Sequence, residues 1–376
     1  MSTGQNIKVG DRVSLSIEKL SFGDGDGIAR IDKLVVFVPL SAPGDLVEAE
    51  IIFKKKNFAR AKLLKVSRPG SSRRDAPCSV YGSCGGCQWQ HIQYEDQVAI
   101  KGDLLKEAFD RAKLRYRTFS PIVASPNEFR YRNRVQVQLS SNGFGFRARK
   151  SHNFVQTEDC LIAQEPLIAL IKSSNKRLRG RHEVFLSEDG SVHLRSTSEE
   201  AEGNFFAQVN NDMNNLLKEW VREFVPSNSQ RVWDLYGGNG NFSLDLARRL
   251  KKAEFVCVDS NQNNIASGIR KAEALSFSHV KFKAQLTHEF LADESTADLC
   301  IVDPPRAGLD RETIGLLMRC DFRRLIYISC DPMTLIRDLK AMQSQGFQIL
   351  EVRPLDMFPQ THHVETFVVV ERHSDA

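Results

Sequence analysis

Between residues 231 and 371 the chain repeats one pattern: a short apolar run, a turn, then a stretch with helical spacing. Few folds accept that rhythm. Apolar runs separated by helices build a mostly parallel sheet covered on both faces, the doubly wound α/β arrangement. The runs fall at 231–236, 254–259, 280–284, 297–303, 325–330, 347–353 and 364–371, with helices expected near 241–252, 261–275, 310–320 and 333–345. Residues 7–67 read differently. Strands at 9–20, 34–40, 46–53 and 59–66 are punctuated by Gly23-Asp24-Gly25-Asp26-Gly27 and Pro43-Gly44, the signature of a small β-barrel. Pro69-Gly70-Ser71-Ser72 reads as a linker, residues 78–90 as a cysteine-rich loop, 92–115 and 209–224 as helices, and 130–195 as strands. The expected organisation is multidomain: a β-barrel over 1–70, a central α+β domain with the cysteines over 71–203, and an α/β domain over 204–376.

Charge is unevenly placed. Nine basic side chains and no acid lie within 54–74, and ten Lys/Arg against one acid, Glu128, within 111–150. Aromatics are interleaved in the second stretch, and such a mixture suits phosphates and stacked bases. No apolar run reaches membrane-spanning length, and the first residues lack the apolar stretch of a signal peptide. The expectations are therefore an RNA partner, no membrane, a monomer, and the cytoplasm, where the eight cysteines stay reduced or serve as ligands or catalytic groups.

Ligands of a doubly wound sheet sit beyond the carboxyl ends of its strands. There Trp233-Asp234-Leu235-Tyr236 runs into Gly237-Gly238-Asn239-Gly240-Asn241, and the next strand ends in Asp259, placed for a ribose hydroxyl. NAD is the ordinary guess for such a loop, but Phe242-Ser243 follow Asn241 and the spaced Gly-x-Gly-x-x-Gly is absent. Three further strand ends share the edge: Asp303-Pro304-Pro305-Arg306, Ser329-Cys330-Asp331-Pro332 and His362-His363-Val364-Glu365. A thiol, carboxylates and a guanidinium around one crevice fit covalent catalysis assisted by a general base. A helix expected to begin near Asp331 would favour the Cys330 thiolate. The blander readings are a buried structural thiol at Cys330 and an ordinary exposed carboxylate at Glu365. Cys257 and Cys300, inside apolar runs, are expected to be structural, Cys320 to have no role, and His362 and His363 to bind no metal.

Together these motifs resemble the RNA (uracil-5-)-methyltransferases, and the glycine loop is similar to the first motif of class I methyltransferases. The likeness covers nearly the whole chain. It implies that residues 7–67 are an RNA-binding TRAM domain, on Val36-Phe37-Val38-Pro39 and Pro43-Gly44-Asp45, and that the last domain is Rossmann-like and binds S-adenosylmethionine. Phe206-Ala207-Gln208-Val209-Asn210 matches a family segment, which implies a cofactor contact at Gln208; Tyr236, Asn241, Asp259 and Asp303 would line the same site. Cys330 matches the nucleophile and Glu365 the base. The implied reaction adds the thiolate to uracil C6, activates C5 toward the methyl donor, then removes the C5 proton, with Arg306 placed to stabilise the ring oxyanion. Three positions depart from the pattern: Gly237 where cysteine is frequent, Asp259 where glutamate is usual, and Asp331 where asparagine is commoner.

Cys78, Cys84, Cys87 and Cys160 stand apart. Their spacing alone means structural zinc or an iron–sulfur cluster, and lacks the Cys-x3-Cys-x2-Cys of radical chemistry. The resemblance favours a [4Fe–4S] cluster. It also favours 23S rRNA as substrate, with the T-loop of tRNA as the alternative. An adenine amino-methyltransferase would carry an aromatic residue where Arg306 stands. A non-catalytic RNA-binding assembly factor would not need Cys330, Glu365 and Gln208 together.

Overall fold

The computed structural model describes residues 7–174, 178–187, 189–197 and 208–372, so Phe206 and Ala207 of the family-like segment lie outside the described residues. The chain forms two compact units. One comprises the residues up to Leu104, Asn127–Thr197 and Phe358–His363; the other comprises Leu105–Pro126, the residues after Thr197 up to Met357, and those from Val364 on.

The first unit begins with six strands: β1 (Arg12–Ser16), β2 (Lys19–Leu20), β3 (Gly27–Ile31), β4 (Leu34–Val38), β5 (Leu46–Lys54) and β6 (Phe58–Arg68). They form one sheet in the order β1-β5-β6-β4-β3-β2. The expected strand over 9–20 is broken in two, and its halves, two residues apart, stand at opposite ends of that order. β3 was not anticipated, because the glycine run before it reads as a turn. Alternation places Val36, Val38, Val47, Ala49, Ile51, Ala59 and Ala61 in the core. In β5 the alternation ends at a bulge between Ile51 and Phe53, beyond which Ile52 and Phe53 are both exposed. The linker at Pro69–Ser72 is anchored: buried Asp45 accepts from the Gly70 amide at 2.9 Å and from the Arg73 guanidinium at 2.6 Å.

Helix α1 (Tyr94–Arg111) and strand β7 (Tyr116–Phe119) follow, β7 belonging to the second unit. The first unit's other sheet contains β8 (Arg134–Ser140), β9 (Gly143–Arg147), β10 (Phe154–Thr157), β11 (Gly180–Leu186) and β12 (Val192–Ser196), in the order β10-β9-β8-β11-β12. Helix α2 (Glu165–Ser174), also unanticipated, packs Leu167, Ile168 and Ile171 against Val135, Val137 and Leu139. Far along the chain, the strap Phe358–His363 returns to this unit. Its Gln360 adopts φ +68° and is fully buried. The Gln360 carbonyl accepts from the Gln88 and Trp89 amides, both at 3.0 Å, and its side chain bonds Gln97, Arg74 and Glu128. A non-glycine residue keeps such a backbone only when its surroundings over-determine it.

The second unit is the expected α/β fold. After α3 (Asn211–Phe224), capped by the Asn210 side chain, come β13 (Arg231–Leu235), α4 (Ser243–Ala247), β14 (Glu254–Asp259), α5 (Gln262–Ala274), β15 (Val280–Ala284), α6 (Thr287–Asp293), β16 (Thr296–Val302), α7 (Arg311–Leu317), β17 (Asp321–Ser329), α8 (Pro332–Ser344), β18 (Phe347–Leu355) and β19 (Glu365–Arg372). The sheet order is β15-β14-β13-β16-β17-β19-β18-β7. The strands from β15 to β17 in that order are parallel and almost wholly buried in the middle, as sheets covered on both faces require. β19 runs antiparallel to both β17 and β18. α4 is shorter than expected, since residues 248–252 turn away as irregular chain.

Candidate active site

The strand order reverses between β13 and β16, the switch point at whose carboxyl ends ligands of such sheets bind. Tyr236, Asp259, Asp303 and Cys330 follow or end β13, β14, β16 and β17. Glu365 opens β19. Because β19 pairs Thr366 with Ser329, the ladder's next step sets Glu365 beside Cys330. An antiparallel strand necessarily starts where its parallel neighbours end, and this brings nucleophile and base candidates together from 35 residues apart.

The glycine loop is tied to its neighbours. Gly237 donates to the Val258 carbonyl at 3.0 Å; the Gly238 amide donates to Asp259 Oδ2 at 3.0 Å, while the Asn261 amide donates to Asp259 Oδ1 at 2.7 Å. Tyr236 and Gly238 both have φ +59°, a strained backbone for the tyrosine. A Cβ on Gly237 would lie 2.6 Å from Cys257 Sγ and 2.8 Å from the Asp234 carboxyl carbon. The space for a side chain at 237 is thus already filled, which accounts for glycine where the resembled family often has cysteine. Gln208 Nε2 donates to Asp303 Oδ2 at 3.0 Å. Asn241 and Asn214 exchange two amide hydrogen bonds of 2.9 and 3.0 Å. Burial pushes the ionisation of the Tyr236 phenol upward, and the neighbouring Thr313 and Thr287 hydroxyls oppose it. Asn214, Thr287 and Thr313 were missed by the sequence reading; only Asn214, one helical turn after Asn210, carried any signal.

Around the thiol the electrostatics oppose ionisation. Burial, then Glu365 and Asp303, push the Cys330 thiol up to about 12, while Arg306 works in the other direction. The helix begins at Pro332, as expected. Asp331 caps α8 itself, accepting from the Met333 and Thr334 amides at 3.0 and 3.1 Å, so the helix end is already satisfied by an anion. Glu365 is 2 % exposed, which removes the reading as an ordinary surface carboxylate. Burial first, then Asp303, raise its carboxyl well above the usual range, and Arg306 lowers it. Such a crowd of acids fits a cationic ligand, whose arrival would favour their ionised forms. Cys257 and Cys300 are fully buried, as expected, and Cys320 donates to backbone carbonyls of Leu316 and Glu294.

Asp303 yields a stability prediction. Burial and then Asp234 raise its carboxyl to about 7 from an ordinary 3.8, against the opposing Gln208 hydrogen bond. Between those values the folded chain retains a proton that the unfolded chain has shed. Stability from this group therefore falls as pH rises from about 4 and is fully lost above about 7. Asp303→Asn is expected to raise stability by roughly 1–2 kcal/mol at pH 8, a discounted value because the carboxyl keeps some solvent contact, and to change little at pH 4. Melting curves of parent and variant that differ equally at both pH values would refute it.

In the first unit, Cys78, Cys84, Cys87 and Cys160 line one cavity of 330 Å³ with Tyr81 and Gln90. Burial and the neighbouring thiols push Cys87 up to about 12 and Cys160 up to about 11. Among the described residues no three His, Cys, Asp or Glu side chains converge as ligands of a single metal ion. The ring of His362 lies 4.1 Å from that of His363.

The basic stretches divide. Arg73, Arg74, Arg130, Arg134, Arg149 and Lys150 are ion-paired with Asp45, Glu128, Asp159, Glu183, Asp26 and Asp24. Much of the second stretch is therefore structural. Lys55, Lys56, Lys62, Lys65 and Arg68 of the first are exposed.

A profile of the tRNA (uracil-5-)-methyltransferase family matches residues 148–373, and one of the TRAM domain matches residues 7–64. An uncharacterised RNA methyltransferase of Bdellovibrio bacteriovorus is 36% identical over 95% of this chain and 94% of its own. A 23S rRNA (uracil(1939)-C(5))-methyltransferase of Pseudomonas putida is 28% identical over 97% of this chain and 95% of its own. Among solved structures, the tRNA (uracil-54, C5)-methyltransferase of Pyrococcus abyssi, in complex with S-adenosyl-L-homocysteine, superposes with a TM-score of 0.75. It covers 95% of this chain and 100% of its own at 24% identity, a likeness of fold. Among the described residues no helix is long and apolar enough to cross a membrane.

Proposed function

The chain belongs to the tRNA (uracil-5-)-methyltransferase family, enzymes that methylate uracil C5 in RNA from S-adenosylmethionine, and from that premise we propose that its substrate is 23S rRNA and its nucleophile Cys330. The observation that carries the mechanism is the strand register that sets Glu365 beside Cys330 at the edge holding the glycine loop. The substrate rests on the Pseudomonas relative, which matches end to end. Mapping 5-methyluridine in RNA from cells lacking the protein tests it. Loss from 23S rRNA alone is expected; loss from the tRNA T-loop would reassign the substrate.

S-adenosylmethionine supplies an electrophilic methyl group on a sulfonium. Gln208, Tyr236, Asn241, Asp259 and Asp303 would hold it, and the acids around Asp303 suit its charge. Asp259 already accepts two backbone amides, leaving its remaining lone pairs for ribose hydroxyls. Cys330 adds to C6 of a uridine turned out of its stack, since C6 is inaccessible within one. Burial and the neighbouring carboxylates oppose a free thiolate, so the sulfur adds as its proton passes to solvent water. Arg306 faces the charge that develops on the ring. Once C5 carries the methyl group, Glu365 takes the C5 proton, the C6–S bond breaks and the thiolate is released.

The four cysteines are proposed to hold a [4Fe–4S] cluster. What supports the reading is that four soft thiol ligands line one cavity. Elemental analysis of the isolated protein should find iron and sulfide; zinc without iron would overturn the assignment. The domain reading is likewise a proposal: a barrel over 1–70, a cysteine-bearing domain over 71–203 and the methyltransferase domain over 204–376. Closure of the barrel is supported by β1 and β2, which two residues join although they end the sheet order on opposite sides. Its RNA contacts are assigned to Lys55, Lys56, Lys62, Lys65 and Arg68. Deleting the barrel would strip Leu20 and Ala42 from a core shared with Trp89 and Ile92. Replacing the five cations with glutamine is the cleaner test. If three touch phosphate, the slope of log affinity against log salt should fall by about 2, at about 0.7 per contact on a single strand. An unchanged slope would show that this face does not hold RNA.

A further inference from the structure

Opposite the core of the first sheet, three phenylalanines from neighbouring strands come together. Phe58 on β6 lies 6.0 Å from Phe37 on β4, edge to face at 77°, and 5.8 Å from Phe53 on β5. Phe53 reaches this face because of the bulge in β5: two-residue periodicity from Ile51 would put it inside. Bulges re-aim side chains, and here the result is a phenylalanine 40% exposed beside Ile52 at 52%. Leaving a ring in water forgoes the gain from burying it, so such a placement marks a surface that something else covers.

The cations around the rings identify the chemistry of that cover. The Lys55 ammonium stands 5.8 Å from the Phe53 centroid and 5.9 Å from that of Phe58, at the outer limit of a cation–π contact. Arg60 lies 5.8 Å from Phe37 and is held by Asp24 at 3.0 Å and Asp26 at 3.5 Å. Those two carboxylates, shared with Arg149 and Lys150, hold the guanidinium in place behind Phe37. Lys55 and Lys56 remain exposed, and residues 51–74 contain no acid. An apolar partner protein would gain nothing from that charge, whereas a polyanion with flat apolar faces matches both features.

We infer that Phe53, backed by Phe58 and Phe37, is a stacking site for an unpaired base of the RNA, with Lys55 and Lys56 beside it for the flanking phosphates. The inference deepens the proposed function and rests on RNA being the substrate. Stacking and phosphate contact leave different marks, because only the second releases counterions.

The test uses the full-length protein and a fluorescein-labelled ten-nucleotide oligouridine, titrated at several salt concentrations. Phe53→Ala should weaken binding about 5- to 100-fold without changing the salt slope, the range for loss of one stacked base. Lys55→Gln should instead lower the slope by about 0.7. Phe53→Trp should keep the affinity, and its emission should be quenched by unlabelled oligouridine; Trp89, Trp220 and Trp233 are buried and report little. Parent-like binding by Phe53→Ala, or an unquenched Phe53→Trp, would overturn the stacking site. So would a dimeric parent that Phe53→Ala converts to monomer, which would make the patch a contact between copies. If the parent binds neither the oligonucleotide nor ribosomal RNA, the RNA reading itself fails and this inference with it. If the parent binds and only the Phe53 variants behave like it, the stacking site alone falls.

Discussion

Cys330→Ala is expected to remove methyl transfer, by a factor on the order of 10⁴–10⁶, as loss of a covalent nucleophile does elsewhere. The substitution deletes the only thiol at this edge among the described residues. It should leave RNA affinity near the parent value, because the exposed cations and aromatics proposed to hold RNA lie on other elements. It should also leave the fold intact. The thiol is half-buried among Glu365, Asp303 and Asp331, and it makes no hydrogen bond on which α8 depends, since Asp331 caps that helix. Transfer of labelled methyl from S-adenosylmethionine to RNA gives the measurement. Turnover above a trace in the variant would end the nucleophile assignment, and with it the covalent mechanism.

Glu365→Gln should act at the opposite end of the reaction. Glutamine keeps the shape of the side chain but cannot take the C5 proton, and loss of a general base costs on the order of 10²–10⁴ in rate. Covalent addition should not slow. Glutamine keeps the packing around Cys330, and the thiol that adds to C6 is untouched. Fast addition followed by blocked release should accumulate an RNA–protein adduct on ordinary RNA, visible as a shifted band on a denaturing gel. Normal turnover, or an equal loss of adduct on RNA containing 5-fluorouridine, would assign the base to another group.

Most of this site was legible because its chemistry sits at strand ends, and strand ends are marked by where apolar runs stop. Tyr236, Asp259, Asp303 and Cys330 could be read that way. Their mutual geometry could not. The pairing of Thr366 with Ser329 is a property of sheet register, which no local pattern encodes, and the partners Asn214, Thr287 and Thr313 come from other helices. That burial is the largest influence on the thiol could not be read from the sequence either, since it depends on what packs over the strand end. The elements missed, β3, β7, α2 and α6, share a cause. Each is short or uniformly apolar, so its periodicity does not distinguish helix from strand. The ion pairs of Arg130, Arg134, Arg149 and Lys150 could not be read locally, because Asp24, Asp26, Asp159 and Glu183 lie elsewhere in the chain.

The strap at Phe358–His363 has a bearing on how the chain is made. Synthesis proceeds from the N-terminus, and domains ordinarily fold as they emerge. Here the amides of Gln88 and Trp89, immediately after Cys87, have as their acceptor the carbonyl of Gln360, far later in the chain. The backing of the cysteine loop therefore cannot form until the strap has left the ribosome. Until then, those two amides and the side chain of Gln97 must be satisfied by water, and the segment that carries three of the four cysteines waits, solvated, for the strap to arrive.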